Sequence, residues 1–423
     1  MSFSFIHAAD IHLDSPLSGL AQYEGAPVDR IRSATRDAFR NLVDTAIERQ
    51  VSFIIIAGDL YDGDWKDYNT GLFFASQIVR LQKADIKVFL IRGNHDAASL
   101  ITKELKLPDN VFEFSTKEPE TIVLDELGVA IHGQGFASRS IEENLVKNYP
   151  NRVEGYVNIG VLHTSATGRE GHENYAPCSI DDMKEKGYDY WALGHIHLRE
   201  VLHNNKPVIL FSGNIQGRHI KETGEKGCTL VTVENGEIES YTHLSLDVLR
   251  WELCEINVSG LESIEEIMEK IHEDLEKKVQ DAEGRFLAVR FRIVGPTKAH
   301  QELIIAKEHL TNNIRSIALE VGMGDIWVEK VKIETSHLID VNELKAQHTP
   351  IAVILDFINK IENNEEMIKE LLAEFEDVHQ SLPYELKAGE EGFDFTNPDL
   401  IKKKLADVED LILYYLTKTG VEA

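Results

Sequence analysis

The chain has 423 residues, of which 43% are hydrophobic and 27% charged, the proportions of a soluble globular protein too long for one ordinary core. Its net charge of −28 argues against a free-standing nucleic-acid binder, whose footprint is basic, so any polyanion must be met through bound cations, local basic patches or a partner. There is no run of about 18 apolar residues, the start MSFSFIHAADIHL is neither basic nor long and apolar, and Cys178, Cys228 and Cys254 are odd in number and widely spaced; the expectation is no membrane span, no signal peptide, no zinc ribbon and a reducing cytoplasmic setting.

Residues 1–245 alternate short apolar strands with helical stretches. The strand candidates are SFSFIHAA, VSFIIIAG, KVFLIRG, ETIVLDELGVAIHG, YVNIGVLHT, YDYWALGH and PVILFSG, followed by a hairpin, GCTLVTVENGEIESYTHL, that turns at Asn235-Gly236. Continuous runs such as Phe53-Ile54-Ile55-Ile56 suit strands buried on both faces. Helices are expected over 29–50, 69–83 and 97–106, giving an α/β domain rich in sheet. Residues 246–340 read strand (249–257), helix (262–281), strand (285–294), helix (299–322), strand (326–335), a βαβαβ second domain. Residues 341–423 are expected to be helical, over 350–380 and again near 398–417, around a turn-rich acidic stretch, LPYELKAGEEGFDFTNP. The three segments carry charges of −11, −7 and −10, densest in the last.

Ligand-type residues follow strand after strand in the first domain. Asp10 and His12 follow the first strand, Asp59 the second, and Asn94, His95 and Asp96 the third; His163 follows NIGVLH, and His195 and His197 follow YWALGH. Alternate residues of an extended segment point the same way, so Asp10/His12 and His195/His197 can each converge on one point. Gly58, Gly93 and Gly194 each precede a ligand and are expected to let the backbone turn. Two aspartates, one asparagine and four histidines exceed what one ion takes but suit two divalent ions sharing a carboxylate. Mixed imidazole and carboxylate points to Mn²⁺, with Fe or Zn²⁺ next, rather than Mg²⁺ or Ca²⁺. A lone GD or GNH would be an ordinary turn; the ordered set DxH, GD, GNHD, H, GHxH is specific.

This set resembles the calcineurin-like metallophosphoesterase superfamily over residues 1–220. IHAADIHLD, GDLYD, RGNHD, ALGHIHLRE and LFSGNIQGRHIKETGEKG are similar to the SbcD-type DNA repair exonucleases, and GDLYDGDWKDYNTGLFF to their YhaO-like branch. The resemblance implies a β-sandwich flanked by helices (αββα), with 1–245 as nuclease domain, 246–340 as a small capping domain and 341–423 as a helical segment docking a coiled-coil ATPase. It implies that Asp10, His12, Asp59 and His197 hold one metal, and that Asp59, Asn94, His163 and His195 hold the other. His95 would protonate the leaving oxygen or stabilise the phosphoryl transition state, with Asp96 either orienting it or serving a helix N-terminus. Asp62 stands where archaeal and eukaryotic members tend to have histidine.

The implied function is two-metal hydrolysis of DNA phosphodiesters, alongside an SMC-like ATPase of SbcC or YhaN type. Dimerisation would use helices near 69–83 and 97–106. Two alternatives stay open: a hydrolase of small phosphoesters such as cyclic nucleotides, and a non-catalytic scaffold. Arg218, His219 and Lys221 are candidate phosphate contacts, with surface ion pairing as the competing reading. His7 and His132 are expected to be core or supporting histidines. Leu405, Val408, Ile412 and Tyr415 form an apolar stripe at helical spacing, suited to docking or to packing on the protein itself.

Overall fold

The computed structural model describes residues 2–15, 25–62, 68–98, 107–166, 175–337, 350–382 and 387, together with 397–402, 404–405, 408–409 and 412. Asp64, His172, Tyr415 and nearly all of the expected helix 97–106 lie outside the described residues. The chain packs as two compact units. The first comprises Met1–Cys254, Leu275–Arg290 and Ala318–Lys330; the second comprises Glu255–Asp274, Phe291–Ile317 and Val331–Ala423.

The first unit is built on two six-stranded sheets. One contains β1 (Ser2–Ala8), β2 (Phe53–Ala57), β3 (Lys87–Ile91) and β4 (Val111–Glu113). The other contains β5 (Glu120–Leu124), β6 (Val129–Gly133), β7 (Val157–His163), β8 (Tyr190–Gly194), β9 (Glu200–His203) and β10 (Val208–Phe211). The hairpin β11 (Gly227–Glu234) and β12 (Glu237–Ser245) returns to the first sheet, giving orders β12-β11-β1-β2-β3-β4 and β5-β6-β7-β8-β10-β9. Strands β1 to β4 are parallel, as are β6, β7, β8 and β10. Their carboxyl ends therefore deliver side chains to one edge of each sheet.

The pleat explains the unbroken apolar runs. Phe53, Ile55 and Ala57 of β2 face Ile131, Ile159, Val161 and Ala192 between the sheets. Ile54 and Ile56 face the other way, onto Phe39, Leu42 and Val43 of α1 (Val28–Glu48) and Phe74 and Ile78 of α2 (Tyr68–Lys83). On the far sheet, Trp191, Leu193 and Leu162 pack outward against Met183 of α4 (Ile180–Glu185) and against Tyr188; a short α3 (Asn94–Ala98) follows β3. The result is the expected αββα layering, with each central strand covered on both faces. The Asn235-Gly236 turn forms as expected, both residues with positive φ (53° and 83°). ETIVLDELGVAIHG is two antiparallel strands, because Asp125–Gly128 turn between β5 and β6.

The expected βαβαβ segment is a three-stranded sheet, β13 (Leu249–Asn257), β14 (Phe286–Thr297) and β15 (Ile326–His337), in that order. α5 (Ile264–Asp281) lies between the first two strands. The expected helix 299–322 is two helices, α6 (His300–Ile305) and α7 (Lys307–Val321). Helix 350–380 is three, α8 (Pro350–Glu362), α9 (Glu365–Glu374) and α10 (Glu376–Ser381). The first break falls where the Asn364 side chain caps α9 by accepting from the backbone N–H of Glu366 and Met367. Within the first unit, Ile31 and Ala34 of α1 pack against Trp251, Phe286 and Trp327. No helix among the described residues is long and apolar enough to cross a membrane.

Candidate metal centre

Five strand ends converge on one site. Asp10 and His12 follow β1, Asp59 follows β2, Asn94 and His95 begin α3 after β3, His163 ends β7, and His195 and His197 follow β8. Asp10, His12, Asp59, Asn94 and His163 are all buried. Two of the ligand groups that can hold an ion are Asp10/His12/His197 and Asp59/His163/His195.

The backbone reaches this arrangement differently from the expected pleat. Asp10, His12 and Asp59 have φ of 51°, 46° and 52°, and His195 has 103°. Left-handed conformations in non-glycine residues cost roughly 1 kcal/mol or more each. Convergence of the two-residue pairs therefore comes from left-handed kinks just beyond the strand ends. Supporting bonds hold these kinks: Asp10 N–H donates to Gly58 O (3.1 Å), His12 N–H to Asp59 O (3.0 Å), and His195 N–H to both carboxylate oxygens of Asp10 (3.0 Å each). The glycines also differ from expectation. Gly58 does turn, at φ 95°, but Gly93 and Gly194 have no positive φ and serve close approach. A Cβ on Gly93 would stand 2.2 Å from Asp59 Oδ1, and one on Gly194 would stand 1.9 Å from Ala57 O.

The hydrogen bonds fix which nitrogens are free for a cation. His12 Nδ1–H donates to Asp62 Oδ1 (3.0 Å), and His197 Nδ1–H donates to Glu222 Oε1 (2.6 Å). Their Nε2 atoms then face each other at 3.2 Å, lone pair to lone pair. A proton or a metal ion between them satisfies both nitrogens at that distance. The second group repeats the pattern: His163 Nδ1–H donates to Ala57 O (2.9 Å), and its Nε2 faces Asn94 Oδ1 at 2.9 Å and Asp59 Oδ2 at 3.3 Å. The donor set of imidazole, carboxylate and amide oxygen therefore fits divalent cations in both places.

The titration directions agree. Burial lowers the His12 pKa to about 4, leaving the neutral form a metal needs. Burial works against a charged His163, yet the Asp59 and Asp10 charges raise its pKa to about 9. The pocket is thus negative enough to hold a proton where a metal would sit. Burial raises Asp10, whereas for Asp59 it is outweighed by His163, His12 and His95, which bring that carboxyl below its usual range.

His95 lies at the mouth of the site, about a third exposed, with Nδ1 2.8 Å from Asp62 Oδ1. Asp62 therefore touches both a ligand histidine and His95. Burial disfavours a charged His95, but Asp62 and Asp59 raise its pKa on balance. Asp96 is buried and accepts from the backbone N–H of Leu60 (3.1 Å), Tyr61 (2.8 Å) and Gly93 (3.0 Å), pinning the β2 and β3 loops together. The carboxylate at His95 Nδ1 is that of Asp62, so the orienting role sketched for Asp96 falls to a different aspartate.

An open cleft of about 810 Å³ lies over the site, lined by Asp59, Asn94, His95, His195 and His197. Arg218, His219 and Lys221 all line it, with Arg139 and Lys226. Lys221 and Arg139 are exposed, while Arg218 is ion-paired with Asp62 (3.6 Å) and Glu222 (3.3 Å). His7 and His132 are core histidines, as expected. His7 Nε2–H donates to Leu193 O and its Nδ1 pairs with the Tyr190 hydroxyl; His132 bonds Thr121 and Asn158. Asp62, Glu222 and Arg139 were not among the residues assigned from sequence. Glu222 gives no signal in GRHIKETGEKG, because its partners Asn214, Arg218 and His197 meet only through the loop after β10. That loop is tied to β13 by Gln216, whose side chain bonds Leu249, and by Trp251 Nε1–H, which donates to Gly217 O.

Residues 3–199 match the family model of calcineurin-like phosphoesterases, and residues 251–336 match that of the middle domain of metallophosphoesterase YhaO. An uncharacterized metallophosphoesterase YhaO from Bacillus subtilis is 37% identical over 277 residues, 65% of this chain and 68% of that protein. A DNA double-strand break repair protein Mre11 from Sulfurisphaera tokodaii is 27% identical over 289 residues, 64% of this chain and 70% of the relative. A DNA double-strand break repair protein Mre11 from Sulfolobus acidocaldarius is 23% identical over 398 residues, 88% of this chain and 98% of its own.

Proposed function

Because this chain belongs to the calcineurin-like metallophosphoesterase family, whose members are metal-dependent phosphoester hydrolases, we propose that it is a two-metal DNA nuclease. Asp10, His12, Asp59 and His197 would hold one ion, and Asp59, Asn94, His163 and His195 the other, with Mn²⁺ best suited to this ligand mixture and Fe or Zn²⁺ next. When bound, such a pair lowers the pKa of a bridging water and polarises a phosphodiester. The rest of the work belongs to the chain's own groups. His95 Nδ1 is committed to Asp62, so Nε2 is the atom that exchanges a proton with a leaving oxygen. Asp62 and Asp59 raise its pKa, which favours the protonated form that such a proton donor needs.

The observation that carries the DNA reading is the open cleft above the shared-carboxylate ligand groups, flanked by Arg139, His219 and Lys221. A pocket selective for a small phosphoester would enclose most of its ligand. The Mre11 relatives support the same substrate class. Exposed Val353 and Phe357, one turn apart on α8, support docking of an SMC-like coiled-coil ATPase, and exposed Leu72 and Val79 on α2 support a homodimer. Three buried cysteines outside any disulfide suit a reducing, cytoplasmic setting.

The test compares linear duplex DNA, hairpin DNA and a small phosphodiester with Mn²⁺. Metal-dependent DNA cleavage, abolished by chelation, is expected. Turnover of the small phosphodiester with no cleavage of either DNA would replace this reading by the small-substrate one, and no turnover of any would favour a scaffold.

A further inference from the structure

We propose that Arg218 is a positioning residue for one of the two ions, the one held by His12 and His197, and that it acts by clamping the carboxylates of Asp62 and Glu222. The proposal rests on the two-ion reading above.

Each facing imidazole is oriented by a different carboxylate, His12 by Asp62 and His197 by Glu222. Arg218 joins them. Its Nη1 lies 3.6 Å from Asp62 Oδ2, and its Nη2 donates to Glu222 Oε1 at 3.3 Å. Its backbone N–H donates to Glu222 Oε2 (2.8 Å), and Nη1 also reaches Ser15 Oγ (3.4 Å) in the loop that carries Asp10 and His12. The circuit His12–Asp62–Arg218–Glu222–His197 thus closes around the two opposed Nε2 atoms. Both carboxylates are largely buried, at 12% and 6% side-chain exposure, so they need a cation between them to stay side by side. A planar guanidinium presents a fixed fork of donors that can serve two carboxylates at once.

At the other ion the orienting group of His163 is of a different kind. His163 is oriented by the carbonyl of Ala57, a neutral backbone group fixed by the sheet. Loss of Arg218 should therefore act on one ion and spare its neighbour.

The test is stepwise Mn²⁺ titration with metal analysis and electron paramagnetic resonance on wild type, Arg218→Ala and Arg218→Gln. Wild type should bind two ions and show a spin-coupled spectrum. Arg218→Ala should keep one ion at wild-type affinity and bind the other about 10–100-fold more weakly, with the isolated six-line Mn²⁺ signal replacing the coupled one. Two coupled ions at wild-type affinity, with only KM raised, would make Arg218 a substrate contact and overturn the proposal. Equal weakening of both ions would overturn it as well, by showing a general structural role. If the alanine variant does not fold, Arg218→Gln, which removes the fork and the charge but keeps bulk, is read by the same outcomes. A wild-type protein that binds a single ion would remove the two-ion reading itself, a result distinct from any variant effect.

Discussion

Replacing Gly194 by alanine probes how the GHIH segment works. Gly194 has no left-handed φ, so alanine meets no conformational objection there. The obstacle is contact: the added methyl would lie 1.9 Å from Ala57 O, 3.0 Å from Ala57 C and 3.0 Å from the Ala9 Cβ. All three belong to the backbones of β2 and the β1 end or to a rigid methyl, so no flexible side chain can yield. Relief requires the carboxyl end of β8 to part from β2 by roughly 1–1.5 Å. That movement separates His195 and His197 from Asp59 and breaks the bonds from His195 N–H to Asp10. The stability cost should be about 1–3 kcal/mol, as for overpacking elsewhere, and misplacing catalytic groups by about 1 Å should lower kcat about 100-fold. Urea unfolding, bound metal and phosphodiesterase kcat, measured on the same preparation, check this. A folded variant with both ions and wild-type kcat would refute the close-approach argument.

Other outcomes follow from the same geometry. His95→Gln should keep its metal content and lose about 10²–10⁴-fold in kcat, measured with Mn²⁺ on linear DNA; retained turnover would remove His95 from proton transfer. Asp62→Ala should combine that loss with about 10–100-fold weaker binding of one ion, because Asp62 holds both His12 and His95. DNA affinity at fixed salt should fall on chelation, since the metal-free pocket is negative; equal affinity with and without chelator would contradict this. In the metal-free protein the raised His163 pKa contributes stability that is full below pH 6.5 and lost as pH rises through about 9, on the order of 3 kcal/mol. Metal must displace that proton, so calorimetry at pH 7 in buffers of different ionisation enthalpy should show proton release on loading, and its absence would sink the assignment.

The ligand types were legible in the sequence because metal chemistry restricts them to a few side chains, and parallel strands put each at a carboxyl end. The layering was legible too, since FIIIA-type runs leave a strand no wet face. Asp62 and Glu222 as partners of His12 and His197 were not. Their roles depend on a loop after β10 being brought beside loops after β1, β2 and β8, and nothing in GRHIKE marks that meeting. The purpose of Gly194 was also misread, because local spacing shows that a glycine permits a turn but not that another backbone stands against it.

By itself, then, the sequence determined which groups can hold metal, which strands are buried on both faces and the Asn235-Gly236 hairpin turn, for these depend on side-chain chemistry and short-range periodicity. The tertiary structure alone decided the strand order, the left-handed kinks at Asp10, His12, Asp59 and His195, and which nitrogen of each imidazole faces the cation. Those depend on contacts between segments as far apart as His12 and His197, whose distance is set by packing two sheets together.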